Sequence, residues 1–186
     1  MFFYSFINII NPEFGDRKKT KSNTVNRFKK VRDKFNQFIE EGTFVQDKED
    51  SLYVYRQKFR GNVFTGIIAG ASIDDYENGV IKKHEHTILK REVIFKNYLE
   101  TTDMNAEPVL MTYPDNDRIK EVLERQLKST PEYDYMSANS ACHQFWKISN
   151  IGDIKVIQEQ FVAFDALYIA DGHHRCASSN LLGHEM

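Results

Sequence analysis

The chain contains 186 residues, with 25 basic and 27 acidic side chains and a formal charge of −2. This near-balance argues against a general nucleic-acid-binding domain, which usually carries a clear basic excess. Hydrophobic residues make up 41% of the chain, which excludes a disordered protein and is enough to bury the core of one domain. We therefore predict a single domain over residues 1–186.

The cysteines and the apolar start of the chain both favour a cytoplasmic protein without a membrane partner. Cys142 and Cys176 are too few for a disulfide framework and form no C-x-x-C pair, which favours a reducing compartment. A reactive thiol would need a cationic group close in space, which sequence adjacency does not establish, so we interpret both as structural. Residues 1–10 are apolar but too short for a membrane span, and they lack the basic start and cleavage site of a signal peptide. We expect a strand or core-anchoring segment there, or a segment that depends on neighbouring chain for its burial.

The next part of the chain predicts a loop followed by a long helix. Residues 11–23 are polar and contain Pro and Gly, which is typical of a loop. Apolar residues then recur at three- and four-residue steps, predicting a helix that begins near Thr24 and ends at Gly42. Nine of the eighteen residues from Arg17 to Lys34 are basic, which favours a solvated helix face over a surface for nucleic acid or an acidic partner.

Strands and helices alternate after this helix. Residues 51–59 and 62–72 are rich in β-branched and aromatic residues and flank Gly61-Asn62, which predicts a hairpin. The later elements are a polar turn at 72–79, a helix at 84–99, a buried strand at 108–113, a helix at 117–127 capped by Asp117, strands at 143–148 and 166–170, and helices at 154–161 and 176–182. This order predicts an α/β or α+β fold, a mixed β-sheet flanked by helices.

The segment Asp171-Gly172-His173-His174-Arg175 directly follows the last predicted strand. A strand, a glycine turn and a helix start present backbone N–H groups and the positive helix end to an anion. Arg175 could add a bidentate clamp, Gly172 permits close backbone approach, and Asp171 could hold a metal ion or a ligand hydroxyl. The pattern favours a phosphate or carboxylate site, and the alternative is a salt-bridged turn whose histidines cap the helix.

A second group of chemically useful residues is His84-Glu85-His86-Thr87. Glu85 could act as a general base or a metal ligand, and His84 and His86 share a face only if the segment is extended. A zinc site would need a third ligand, and the sequence contains no H-E-x-x-H motif. The segment could therefore be a helix cap or part of an active site. The usual nucleotide-binding and esterase motifs G-x-x-x-x-G-K-[ST], G-x-G-x-x-G and G-x-S-x-G are absent.

These two motifs belong to a longer series of matching segments: Asn11-Pro12, LYVY at 52–55, Thr65-Gly66, SIDDY at 72–76, IKKHEHT at 81–87, Pro108-Val109 and YIADGHHR at 168–175. The series resembles the bacterial and archaeal domain-of-unknown-function family numbered 1015, over residues 11 to about 182. Members of that family are longer than this chain. The resemblance therefore implies that residues 1–186 are the N-terminal portion of a longer protein.

The DGHHR element also looks like the phosphate-binding turn of the ParB/sulfiredoxin-like superfamily, which includes free-serine kinases. This likeness implies a ParB/sulfiredoxin-like fold around the turn and nucleotide phosphates bound by Asp171, Gly172, His173, His174 and Arg175. It implies that Glu85 acts as a base on a substrate hydroxyl, that His84, His86 and His174 assist, and that ATP or ADP with Mg²⁺ is the cofactor. His173 falls where sulfiredoxin has its reactive cysteine, which speaks against sulfinic-acid reduction.

Three hypotheses follow for the function. The first is a small-molecule kinase that transfers phosphate from ATP or ADP to a metabolite hydroxyl, with free serine as the substrate by analogy. The second is a non-catalytic nucleotide- or anion-binding module. The third is a metal hydrolase that uses His84, His86, His173 and His174. The catalytic hypotheses require the two motifs to lie close together in the fold.

Overall fold

The computed structural model describes residues 5–186, in which seven helices and seven strands are found. In chain order they are α1 (Ile7–Ile10), α2 (Val25–Glu40), β1 (Leu52–Phe59), β2 (Asn62–Ile68), α3 (Ile73–Glu77), β3 (Ile81–Lys82), α4 (Leu89–Thr102), β4 (Leu110–Thr112), α5 (Asp117–Gln126), β5 (Tyr133–Met136), β6 (Cys142–Ile148), α6 (Ile151–Val162), β7 (Leu167–Asp171) and α7 (His173–Gly183). This mixture of helices with one antiparallel and one mixed sheet confirms the predicted α/β or α+β class. Among the described residues, no helix combines the length and apolarity that crossing a membrane requires.

The chain forms two units and passes between them four times. The first unit comprises Met1–Gln46, Ile73–Thr112 and Tyr168–Met186, and the second comprises Asp47–Ser72 and Tyr113–Leu167. The single domain over residues 1–186 and the ParB/sulfiredoxin-like arrangement remain predictions.

The first unit combines helices with a three-stranded mixed sheet in the order β3-β7-β4, in which β4 runs antiparallel to β7. The Thr24 hydroxyl accepts a hydrogen bond from the Arg27 N–H and so caps the first turn of α2. Gly42, at φ +69°, takes the left-handed conformation that commonly ends a helix. Three buried side chains of α1 and α2 form one apolar cluster: Ile9, Val31 and Phe38.

The second unit is built on a four-stranded antiparallel sheet in the order β2-β1-β6-β5. Arg60 and Gly61 both have positive φ, which is the geometry of a tight two-residue hairpin turn between β1 and β2. Helices α5 and α6 contribute to a core cluster of this unit, whose buried residues are Val54, Val122, Trp146, Ile148 and Ile157. The predicted hairpin is confirmed, and Trp146 of the predicted strand at 143–148 belongs to the core.

Two predictions for the first unit are wrong in their secondary structure. The strand considered for the apolar start is a short helix at Ile7–Ile10, although Ile9 is fully buried as an anchoring segment requires. Residues 1–4 of that prediction lie outside the described residues. The polar turn predicted at 72–79 contains α3, because the Asn78 N–H donates to the Asp74 carbonyl in a helical bond. Tyr76 in this helix is buried.

Several element boundaries also differ from the predicted ones. Helix α4 begins at Leu89 rather than at the histidines, because the backbone of Ile88 is extended. The cap of α5 is Asn116, whose side chain accepts from the Ile119 N–H, so Asp117 is already inside the helix. The strand predicted as buried at 108–113 is shorter, and Leu110 is 61% exposed. The sequence did not indicate the short strands β3 and β5.

The predicted loop at 11–23 is organised around the buried carboxylate of Glu13. Its oxygens accept hydrogen bonds from Arg27, from Lys30 and from both the N–H and the hydroxyl of Thr20. The Lys30 ammonium, followed by the Thr20 hydroxyl, lowers the pKa of Glu13 from 4.5 to about 2. Part of the basic run between Arg17 and Lys34 therefore neutralises an internal carboxylate, with Arg27 mostly buried and Lys30 half-exposed.

We expect Glu13→Gln to reduce the acid sensitivity of the fold. A carboxylate whose pKa is lower in the folded chain adds stability above its unfolded pKa, and that stability is lost as the pH falls from about 4.5 to about 2. Chemical denaturation at several pH values in this window should show a smaller decrease in the free energy of unfolding for Glu13→Gln than for the wild type. Lys30→Met should behave similarly, since it removes the largest cause of the shift. An unchanged pH dependence in both variants would contradict this role.

Candidate active site

The turn after β7 has the strand–glycine–helix geometry that the sequence predicts. β7 ends at Asp171, Gly172 has φ +100°, and α7 begins at His173. A side chain at Gly172 would be strained in this left-handed conformation. The N–H groups of Arg175 and Cys176 both donate to the Gly172 carbonyl, which closes the first helical turn. The earliest N–H groups of α7 have no acceptor within the helix, so this end suits an anion.

The Arg175 guanidinium covers this turn and is paired with two carboxylates. A Cβ added at Gly172 would lie 3.0 Å from Nε and from Nη2 of Arg175, so glycine is needed for this close approach. Nη2 donates to Asp171 over 2.7 Å and Nη1 donates to Glu107 over 2.6 Å. An anion at the turn would therefore compete with the carboxylates of Asp171 and Glu107 for the Arg175 guanidinium, which is the predicted clamp. Glu107 was not among the predicted site residues, because nothing in its loop sequence marks it.

The structure brings the HEHT segment to the same end of β7. β3 neighbours β7 in the sheet, and His84 and Glu85 follow β3 after a single residue, Lys83. The rings of His84 and His173 meet edge to face, with centroids 4.3 Å apart. Glu85 Oε2 lies 3.6 Å from His173 Nδ1, and Oε1 lies 4.0 Å from His84 Nε2. We refer to His84, Glu85 and His173 as the His–Glu–His cluster.

The cluster has one buried member and two exposed members. His173 is only 4% exposed, and its Nε2 is buried without a hydrogen-bond partner among residues 5–186. The side chains of His84 and Glu85 are 59% and 65% exposed. A buried ring nitrogen without a protein partner is costly, and an ordered water or an ion commonly satisfies such a group. The cluster therefore has a fixed inner residue and an open outer side that a ligand can reach.

The two other histidines of the motifs do not enter the cluster. His86 is exposed, and none of the contacts within the described part of the chain joins it to the cluster. His174 is half-buried in the first turn of α7, and its Nδ1 is also buried without a partner among the described residues. The catalytic roles predicted for His86 and His174, and the phosphate-binding role of residues 171–175, remain predictions.

The neighbouring cysteine is not prepared for nucleophilic chemistry. Cys176 is a free thiol in α7, and burial raises its pKa above the ordinary value, despite the opposing effect of the nearby Arg175 charge. Because the thiolate is the reactive form, a raised pKa makes the thiol inert near neutral pH. The structural interpretation of Cys176 agrees with this environment.

The described site thus combines a carboxylate, two imidazoles and a helix N-terminus at one end of a strand. Comparison with known proteins yields a family: the family model described as "Protein of unknown function (DUF1015)" matches residues 3–186. No curated protein and no solved structure matches the chain significantly. Since the family model covers nearly the whole chain, as the series of motifs predicted, the chain belongs to the domain-of-unknown-function family 1015.

Proposed function

We propose that this chain carries the active site of a small-molecule phosphotransferase, which moves a phosphoryl group from ATP or ADP to a metabolite hydroxyl. One observation carries the proposal: the Glu85 carboxylate lies 3.6 Å from His173, the first residue of α7. The fold thereby joins a possible general base to a helix N-terminus suited to phosphate, although the two motifs are far apart in sequence.

The phosphate-binding part of the proposed site is the turn at Gly172. Phosphate oxygens would accept hydrogen bonds from the first N–H groups of α7, where the helix dipole also favours negative charge. Arg175 would exchange Asp171 and Glu107 for a phosphate oxygen, because the guanidinium already lies over the turn. Mg²⁺ would enter with the nucleotide as part of the substrate complex.

The reacting part of the proposed site is Glu85. Its carboxylate takes the proton from the substrate hydroxyl, and that oxygen attacks the terminal phosphorus of the nucleotide. A new P–O bond forms while the bond to the leaving nucleotide oxygen breaks, and the electron pair of that bond stays with the nucleotide. Because Glu85 is largely exposed, a small substrate can reach it. His84 and His173 each lie near one oxygen of this carboxylate, at 4.0 Å and 3.6 Å.

The proposed activity can be tested with radiolabelled nucleotides. The chain is incubated with γ-labelled ATP or β-labelled ADP, Mg²⁺ and a panel of hydroxyl metabolites beginning with serine, and labelled products are separated by chromatography. We expect one labelled metabolite, together with a higher melting temperature in the presence of nucleotide. A higher melting temperature without any product would favour the non-catalytic nucleotide-binding module. If neither a labelled product nor a higher melting temperature is observed, both interpretations are contradicted.

A further inference from the structure

We propose that the His–Glu–His cluster is a binding site for a divalent transition-metal cation such as Zn²⁺. This inference goes beyond phosphoryl transfer, because cation binding by these three side chains does not require the proposed reaction. It rests on the separations of the ligand atoms, on the kinds of donor present and on the burial of His173.

The separations between the donor atoms fit one cation. His84, Glu85 and His173 each offer a ligand atom, and these atoms all lie within 4.8 Å of one another. With bonds of about 2.1 Å and tetrahedral angles, two ligands on one zinc ion lie about 3.4 Å apart. The distance of 3.6 Å between His173 Nδ1 and Glu85 Oε2 is close to this value, and the 4.0 Å distance from His84 Nε2 to the other carboxylate oxygen, Oε1, is slightly longer. Small rotations of the two exposed side chains would complete the geometry.

The donor set selects the class of cation. Two imidazoles and one carboxylate are typical ligands of catalytic zinc sites and of other transition-metal sites with open coordination positions. Mg²⁺ prefers oxygen ligands and would bind the nucleotide phosphates instead. The cluster is therefore expected to distinguish Zn²⁺ or Co²⁺ from Mg²⁺.

The burial of His173 supplies the fixed part of the site. Its imidazole is almost completely enclosed, so the ring has little freedom to turn away. Nδ1 lies 3.6 Å from Glu85 Oε2, which is longer than a normal hydrogen bond, whereas Nε2, the other ring nitrogen, is buried without a partner among the described residues. A cation between Nδ1 and the carboxylate would give the buried ring a strong interaction. The exposed side of the cluster leaves room for water or substrate as a further ligand.

The metal site has a consequence that rests on the proposed function. A carboxylate that coordinates a cation has its electron pair engaged and is a weaker proton acceptor. If Glu85 is the base for phosphoryl transfer, Zn²⁺ is expected to inhibit the reaction at concentrations that fill the site. Excess Mg²⁺ should not relieve this inhibition, because Mg²⁺ does not compete for the imidazoles.

The test is direct titration of the chelator-treated chain with Zn²⁺ by calorimetry and with Co²⁺ by absorption spectroscopy, without nucleotide. We expect one cation per chain, a Co²⁺ spectrum typical of a four- or five-coordinate site, and no binding of Mg²⁺. His84→Ala and Glu85→Gln change exposed side chains and should each weaken binding at least about tenfold. His86→Ala is the matched control, since it removes a neighbouring exposed histidine outside the cluster, and it should bind like the wild type.

The outcomes separate the metal site from the proposed function. If the chain does not bind the cation stoichiometrically, the inference is overturned. It is also overturned if His86→Ala and His84→Ala lose the same amount of cation affinity, because that would indicate non-specific binding by exposed histidines. Binding that survives both His84→Ala and Glu85→Gln also overturns it. Specific cation binding without phosphoryl transfer would support the metal site and contradict the kinase. If Zn²⁺ binds specifically but does not inhibit phosphoryl transfer, Glu85 is not the base, and the metal site is still supported.

Discussion

Glu85→Gln is expected to lower the rate of phosphoryl transfer by about 10²- to 10⁴-fold, the usual contribution of a general base. The amide has nearly the same size and shape as the carboxylate, but it cannot accept the proton of the substrate hydroxyl. The turn at Gly172 is untouched, so nucleotide should raise the melting temperature of the variant as it does for the wild type. Transfer rates and thermal shifts measured on the same preparation would separate loss of chemistry from loss of binding.

The control for this variant is Glu124→Gln, which makes the same chemical change at an exposed position on α5. It should retain the wild-type rate, since Glu124 is no part of the proposed site. Full activity of Glu85→Gln would exclude the carboxylate as the base. A large loss in both variants would indicate an effect of charge or folding rather than of proton transfer.

The elements that could be predicted from the sequence are those with a strong local cause. The periodicity of α2 and its cap at Thr24 lie within one short stretch of chain. The β1–β2 hairpin depends on a turn whose two residues both have positive φ, and Gly61 marks that turn in the sequence. The strand–glycine–helix geometry at Gly172 was also predictable, because an apolar strand and a glycine immediately precede the helix.

The composition of the cluster could not be predicted, because it depends on pairing between distant strands. β3 has only two residues, too few for an alternating pattern, and yet its place beside β7 brings His84 and Glu85 to His173. The sequence pattern alone gave no reason to distinguish the four motif histidines from one another. The fold separates them, since His86 stays exposed while His173 is buried.

Arg175 forms two ion pairs, of which only the one between nearby residues could be predicted from the sequence. Its bond to Asp171 joins residues four positions apart and belongs to the salt-bridged turn that was considered as an alternative. Its bond to Glu107 joins residues 68 positions apart and has no counterpart in the sequence pattern. The salt-bridged turn is therefore present and is extended by Glu107, while the phosphate site at the same turn stays a proposal.

Trp146→Ala is expected to lower the free energy of unfolding of the second unit by about 3–5 kcal/mol, as is usual when a buried aromatic residue is truncated. Trp146 is the single tryptophan of the chain, is only 1% exposed and lies opposite Val54 in the β1–β6 pairing. Its indole N–H donates to the Ser129 carbonyl over 3.0 Å, and the Arg56 guanidinium lies 4.9 Å from the ring. Truncation would leave a cavity and remove both of these interactions.

Two further substitutions show which part of the Trp146 contribution comes from packing. Trp146→Phe loses the hydrogen bond to Ser129 but keeps an aromatic ring in the core. Because the ring is kept, the decrease in the free energy of unfolding should be clearly smaller than for Trp146→Ala. Val162→Ala changes a side chain that is 87% exposed and should stay within about 0.5 kcal/mol of the wild type. Urea unfolding followed by far-UV circular dichroism measures all three variants without relying on tryptophan fluorescence. If Trp146→Ala lost no more stability than Val162→Ala, the core would not depend on the indole, and the β1–β6 pairing would have to draw its stability from the remaining apolar side chains.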